Sequence, residues 1–206
     1  LTRVIFVRHG QTSWNQEGKY QGHSDISLNE RGVRQGNLVA KRLANEKISA
    51  IYSSDLLRAQ QTAEAIAGYH GLSVITKPEF REINFGIWEG LTYQEIMEDW
   101  SEILTAMYDK PGEFGPPQGE SFQAVKQRVT YALQECIKEH QEQNIVLVSH
   151  GGTMRVLLCA ALAIGLDKMW SMRQDSSAIN IIEYVDNRAI VALVNDTWHV
   201  RNINLD

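Results

Sequence analysis

Apolar positions along this chain recur with two periods. Four short runs, at 3–7, 50–52, 73–75 and 145–148, are nearly all apolar and read as β-strands. Their lack of strict alternation predicts strands buried on both faces. Between and after them lie helically spaced stretches at 29–46, 55–69, 92–107, 119–142 and 152–164. In the first of these, Val33, Ala40, Leu43 and Ala44 mark an apolar stripe, and Ser27-Leu28-Asn29-Glu30 fits a capping box that would open it. Ser54-Asp55 gives a second start signal ahead of LLRAQQTAEAIA. Pro111, Pro116 and Pro117 interrupt the pattern and predict a loop before the long helix of 119–142. Near the end, INIIEYV and AIVALVN flank Asp186-Asn187-Arg188, which predicts a β-hairpin.

Strands alternating with helices predict an α/β fold. The expected architecture is a three-layer sandwich: a mostly parallel central sheet, helices on both faces, and a small helical cap from 83–118. A length of 206 residues suits one domain, taken as 1–206. The apolar fraction of 43% is enough for a core, and the net charge of −5 gives no general attraction to nucleic acid or an anionic membrane. The longest apolar run, 156–166, is eleven residues and too short to span a bilayer. The start of the chain lacks a signal-peptide pattern, so the expected location is the cytoplasm. Cys136 and Cys159 sit within apolar helical patterns and read as buried small hydrophobes.

Chemistry is expected where the strands end, because open α/β sheets bind ligands beyond the carboxyl ends of their strands. The first strand runs into Arg8-His9-Gly10. The second runs into Ser53-Ser54 and a helix whose first turn holds Arg58. The run IVLV ends in Ser149-His150-Gly151-Gly152. Two arginines and two histidines would thus converge. Guanidinium forks match phosphate oxygens in pairs. A helix opening at Gly151-Gly152 would offer free N–H groups that an anion could approach closely. The Walker pattern is absent, so the expected site is a phosphate pocket of another kind. One histidine, kept neutral by the flanking arginines, could attack phosphorus. Glu82, in Phe80-Arg81-Glu82-Ile83-Asn84-Phe85-Gly86, is the available acid for the leaving group and could afterwards deprotonate water. The arginines would supply the charge stabilisation, with no metal and no cofactor.

RHGQTSWN, YQGHSDISLNERG, SSDLLRAQQTAEAI, REINFGIWEG, PQGESFQAVKQRV and VSHGG, in that order, resemble the histidine phosphatase superfamily, the phosphoglycerate mutase-like proteins. The resemblance spans about the first three quarters of the chain and implies a phosphohistidine mechanism. By that match His9 is the nucleophile, Glu82 the proton donor, and Arg8, Arg58 and His150 bind the phosphoryl group. Asn15 matches an asparagine that contacts it, and Gln21-Gly22 a substrate-side position. Without RHGxRxP, and with no aspartate after His150, the chain is similar to the branch of mutases and sugar-type phosphatases. The form of the donor motif is similar to phosphatase members, including α-ribazole-5′-phosphate phosphatases, phosphoserine phosphatases and fructose-2,6-bisphosphatases. The overall length, the QGHSDISLNERG form and the compact cap resemble the bacterial α-ribazole phosphatases of cobalamin assembly, so α-ribazole 5′-phosphate is the first expected substrate, with phosphoserine or a sugar phosphate as the alternative. Many members pair as homodimers, which leaves a homodimer open here.

Three other readings were weighed. A zinc site at His9 and His150 is disfavoured by the adjacent arginines and the lack of a carboxylate or thiolate at ligand spacing. A cofactor-dependent phosphoglycerate mutase would need a second phosphate site. Between Glu82 and His150 only Lys110, Lys126, Arg128 and Lys138 are basic, so water is the expected acceptor and the partner a small phosphorylated metabolite. An inactive regulatory module would be expected to lack the nucleophile or the donor, yet both are present. Trp14, Tyr20, Trp88 and Tyr93 read either as pocket lining or as core. His23, His70 and His140 read as loop or helix-end residues, and His199, in NDTWHVRN, is unplaced.

Overall fold

The computed structural model describes residues 1–186 and 188–201. The end of the expected domain at 202–206, Asn202 of the NDTWHVRN segment and the middle of the expected hairpin turn, Asn187, lie outside them. Six strands form one sheet: β1 Thr2–Arg8, β2 Ala50–Ser53, β3 Val74–Thr76, β4 Asn144–Ser149, β5 Ile179–Val185 and β6 Arg188–Asp196. Their order is β3-β2-β4-β1-β5-β6. The pairs β3–β2, β2–β4 and β4–β1 are parallel, and β5 and β6 add an antiparallel edge.

Alternation along the strands sorts side chains into two cores. Val4, Phe6, Ala50, Tyr52, Ile145 and Leu147 face one layer, which contains helices α4 Tyr93–Asp109, α5 Phe122–Glu139 and α6 Gly151–Ala161. Ile5, Val7, Ile51, Val146 and Val148 face the other, which contains α2 Glu30–Leu43 and α3 Leu57–His70. A five-residue helix, α1 Ser13–Glu17, follows β1. The three-layer α/β sandwich is therefore as expected, and burial on both faces holds for β1, β2 and β4. It does not hold for β3, at the sheet edge with Ile75 44% exposed, nor for β6, where exposed and half-buried residues alternate because only one face meets helices.

Several local expectations shift. The cap of α2 is Asn29, whose side chain accepts from the Gly32 N–H; Ser27 is not the cap. Val33 is 47% exposed, and the buried stripe of α2 instead runs through Gly32, Gln35, Gly36, Val39, Ala40 and Leu43. Two glycines let α2 lie so close to its neighbours that the apolar pattern alone misplaces the face. Helix α3 starts at Leu57; its N-cap residue, Leu56, has no side-chain acceptor, the Leu57 N–H donates to Asp25 Oδ1 at 2.7 Å, and Asp55 forms a paired salt bridge with Arg81. Helix α5 starts at Phe122, capped by Ser121, since Gly119 and Glu120 still belong to the loop. Cys136 and Cys159 are buried and free. Among the described residues no helix is long and apolar enough to cross a membrane.

Candidate active site

The register between β1 and β4 builds the centre of the site. Arg8 pairs with Ser149, and the His9 N–H donates to the Ser149 carbonyl at 3.0 Å. The next residue of each strand is a histidine, so both rings emerge side by side, with centroids 5.1 Å apart. Gly10 is required because the first turn of α2 closes on the loop: a Cβ there would lie 2.5 Å from the Gly32 carbonyl oxygen. The Gly10 N–H is held by the Thr62 hydroxyl of α3.

Nδ1 of His9 lies 2.7 Å from the Gly10 carbonyl oxygen. A carbonyl can only accept, so Nδ1 carries the proton and Nε2 keeps its lone pair. Burial, and then the cations of Arg58 and Arg8, hold this imidazole well below its usual pKa. His150 is fully buried, neither of its ring nitrogens has a protein partner, and burial with Arg58 lowers it in the same way. Unpartnered polar atoms this deep are costly unless a ligand completes them.

The arginines are anchored at one end and open at the other. Arg58, 1% exposed, donates to the carbonyls of Gly22 (2.7 Å) and Ser24 (2.8 Å), while its Nε is unpartnered. Desolvation pushes its pKa down to about 10. Arg8 donates to the Gln174 carbonyl and likewise leaves Nε without a partner. Gly22, at φ +53°, turns its carbonyl to Arg58 in a space where a Cβ would sit 2.0 Å from Glu89 Oε1. That Glu89 carboxylate accepts from the N–H groups of His23, Ser24 and Phe85 and from the Ser24 hydroxyl, and so fixes the loop.

Glu82 is not paired with Arg81 or Arg58. Its carboxylate caps α6, accepting from the N–H groups of Gly152 (2.9 Å) and Thr153 (3.0 Å). This narrows the expectation of a glycine cradle for phosphate: the Gly152 and Thr153 N–H groups at that helix end are taken by Glu82, whose charge suits the positive end of the helix dipole. Gly151 packs against Arg8 and Arg155 and is not among the residues lining the cleft.

A cleft of about 210 Å³ opens on this group, lined by Arg8, His9, Asn15, Gln21, Gly22, Arg58 and Glu82. The His150 ring centroid lies 5.1 Å from that of His9; fully buried, His150 is not among the lining residues, and its unpartnered ring nitrogens are the atoms left for a bound group. Asn15 also closes the capping box of α1 through its Oδ1, which leaves its NH₂ for the cleft. Gln21 bonds the Thr12 hydroxyl. Of the aromatics, Tyr20 lines the cleft and Trp88 is core; Tyr93 is half exposed and faces Tyr108; Trp14 packs over Gly90. The sequence reading missed Phe85 and Lys19 in the lining. Phe85 sits inside the REINFGIWEG motif and Lys19 immediately precedes YQGHSDISLNERG; that adjacency was the only available signal. His23 is more than a loop residue, since its Nε2 lies 3.0 Å from the Glu82 carbonyl oxygen. His140 bonds the Tyr52 hydroxyl, His70 ends α3, and His199 reaches the Ser177 carbonyl.

The family model described as histidine phosphatase superfamily (branch 1) matches residues 4–197. Phosphoserine phosphatase 1 of Hydrogenobacter thermophilus is 36% identical over 200 residues, covering 97% of this chain and 95% of the relative. A probable phosphoglycerate mutase of Yersinia pestis, GpmB, is 34% identical over 211 residues, covering 100% and 98%. Among solved structures, the α-ribazole phosphatase of Shigella flexneri superposes with a TM-score of 0.86 at 30% identity, covering 94% of this chain and 96% of that one.

Proposed function

The chain belongs to branch 1 of the histidine phosphatase superfamily and is a phosphatase; from that premise we propose that it hydrolyses a compact phosphate monoester through a phosphohistidine on His9. The observation that carries this reading is the Nδ1 contact of His9 with the Gly10 carbonyl, which leaves Nε2 free to act as nucleophile in a ring held neutral by its surroundings.

The Nε2 lone pair forms the N–P bond as the P–O bond to the leaving group breaks. Glu82 gives its proton to the departing oxygen. Water then attacks phosphorus, the N–P electrons return to Nε2, and Glu82 takes the water proton. The unpartnered donors of Arg8 and Arg58, and the ring of His150, hold the phosphoryl oxygens as charge builds. The NH₂ of Asn15 adds a neutral contact. This chemistry calls for no metal or cofactor.

The cleft volume supports a small substrate. Pockets for drug-sized ligands run from about 300 to 1,000 Å³, and about 210 Å³ is below that. On this size we place phosphoserine or a similar short monoester ahead of the larger α-ribazole 5′-phosphate, the substrate expected first from the sequence. Water is the acceptor in this reading. None of Lys110, Lys126, Arg128 and Lys138 lines the cleft, and the one lining cation besides Arg8 and Arg58, Lys19, is paired with Glu17 at 2.7 Å, so a second phosphate has no uncommitted cation there.

A panel of phosphoserine, α-ribazole 5′-phosphate, 3-phosphoglycerate, fructose bisphosphates and p-nitrophenyl phosphate tests the proposal. Phosphoserine is expected to show the highest kcat/KM, with inorganic phosphate as product. Interconversion of 2- and 3-phosphoglycerate faster than phosphate release would make the protein a mutase. Preference for the ribazole ester would overturn the size argument.

A further inference from the structure

Glu82 stands on a stretch of irregular backbone. Residues 81–85 belong to no helix or strand, yet a proton donor must be held to a fraction of an ångström to be effective. The Thr153 hydroxyl donates to the Arg81 carbonyl (2.9 Å) and His23 Nε2 lies 3.0 Å from the Glu82 carbonyl oxygen, but one side chain makes most of the contacts that hold the segment. Arg128, on α5, uses all five guanidinium N–H groups. Two go from Nη1 to the carbonyls of Glu79 (2.6 Å) and Arg81 (2.8 Å). Two go from Nη2 to the Glu82 carbonyl (2.8 Å) and Glu120 Oε2 (2.9 Å), and Nε donates to Glu120 Oε1 (3.0 Å). Glu120 in turn accepts from the Asn84 N–H (2.8 Å), and its own N–H donates to the Asn84 carbonyl. The clamp therefore grips the segment on both sides of Glu82 while the carboxylate is seated on α6.

Resting on the reading of Glu82 as proton donor, we propose that Arg128, aligned by Glu120, is a positioning residue for that proton transfer. It is absent from the cleft lining, so it makes no contact with the substrate, and its hydrogen bonds run to the Glu82 segment and Glu120. A planar fork with five donors is needed, and a lysine ammonium with three cannot reach the same set of acceptors.

The test compares kcat/KM on two substrates of differing leaving group. Phosphoserine expels an alkoxide that needs a proton, whereas p-nitrophenyl phosphate expels a stable phenolate that needs little help. Arg128→Lys is expected to lower kcat/KM about 10- to 100-fold on phosphoserine and less than about 3-fold on p-nitrophenyl phosphate. Glu120→Gln, which removes the charge aligning the fork and turns one of its two acceptor oxygens into a donor, is expected to show the same discrimination at smaller size, and stands in if Arg128→Lys does not fold. Glu82→Gln is measured alongside. If it discriminates and the clamp variants lower both substrates equally, or neither, Arg128 is merely structural and the inference is overturned. If Glu82→Gln itself fails to discriminate, the donor reading falls and this inference falls with it.

Discussion

The two imidazoles at the centre of the cleft are buried, and the cations beside them oppose their protonation. This has a consequence for stability. In the unfolded chain each ring takes a proton near pH 6.5, whereas in the folded protein it does so only at lower pH. Stability is therefore unaffected at neutral pH. It is lost as pH falls from about 6.5 toward the folded-state values, by up to about 1.4 kcal/mol per pH unit for each ring. His199, also lowered by burial, adds in the same direction. Urea unfolding between pH 7 and pH 5 should show the decline, and His150→Asn should flatten it. Equal slopes for the two proteins would mean that His150 is protonated in the fold. At this scale the sequence made His9, His150, Arg8 and Arg58 legible, because each ends or follows a strand or opens a helix, whereas Glu82, on irregular backbone, was legible only as the carboxylate of its motif. It could not show that Glu82 would occupy the end of α6, since two candidate anions, the carboxylate and a phosphate, compete for the same N–H groups.

Among the elements, the loop of residues 21–24 shows how backbone geometry sets the charge of the pocket. The Gly22 carbonyl aims Arg58, and Glu89 holds the turn that aims the carbonyl. Gly22→Ala would place a methyl group against Glu89 and force an L-residue into a left-handed conformation. Stability should fall by about 1–3 kcal/mol. Inhibition by inorganic phosphate should weaken as Arg58 loses its anchor; thermal melts and inhibition constants check both, and unchanged phosphate inhibition would detach the loop from the site. The elements themselves were largely readable: strands from solid apolar runs, helices from their spacing. Their ends were not. Asn29 displaced Ser27 as a cap, Asp55 pairs with Arg81, and the Leu57 N–H at the start of α3 goes to Asp25, a long-range partner that local spacing does not show.

For the molecule as a whole, the parallel core sheet explains why residues far apart in sequence meet. Strands β1 and β4 lie side by side in register, so their carboxyl ends deliver Arg8, His9 and His150 to one point, and α3 brings Arg58 beside them. The sandwich followed from the alternation of strand and helix; the size of the cleft did not, because it depends on how Tyr20 and Phe85 pack edge to face at 4.8 Å, which spacing does not encode. The central claim is that His9 carries the phosphoryl group, and rapid quenching during turnover of a phosphorus-labelled substrate tests it most directly. The account predicts label that is stable in base and labile in acid, on the peptide containing His9, and none in His9→Ala. Label on the His150 peptide, or a base-labile acyl phosphate on Glu82, would contradict it.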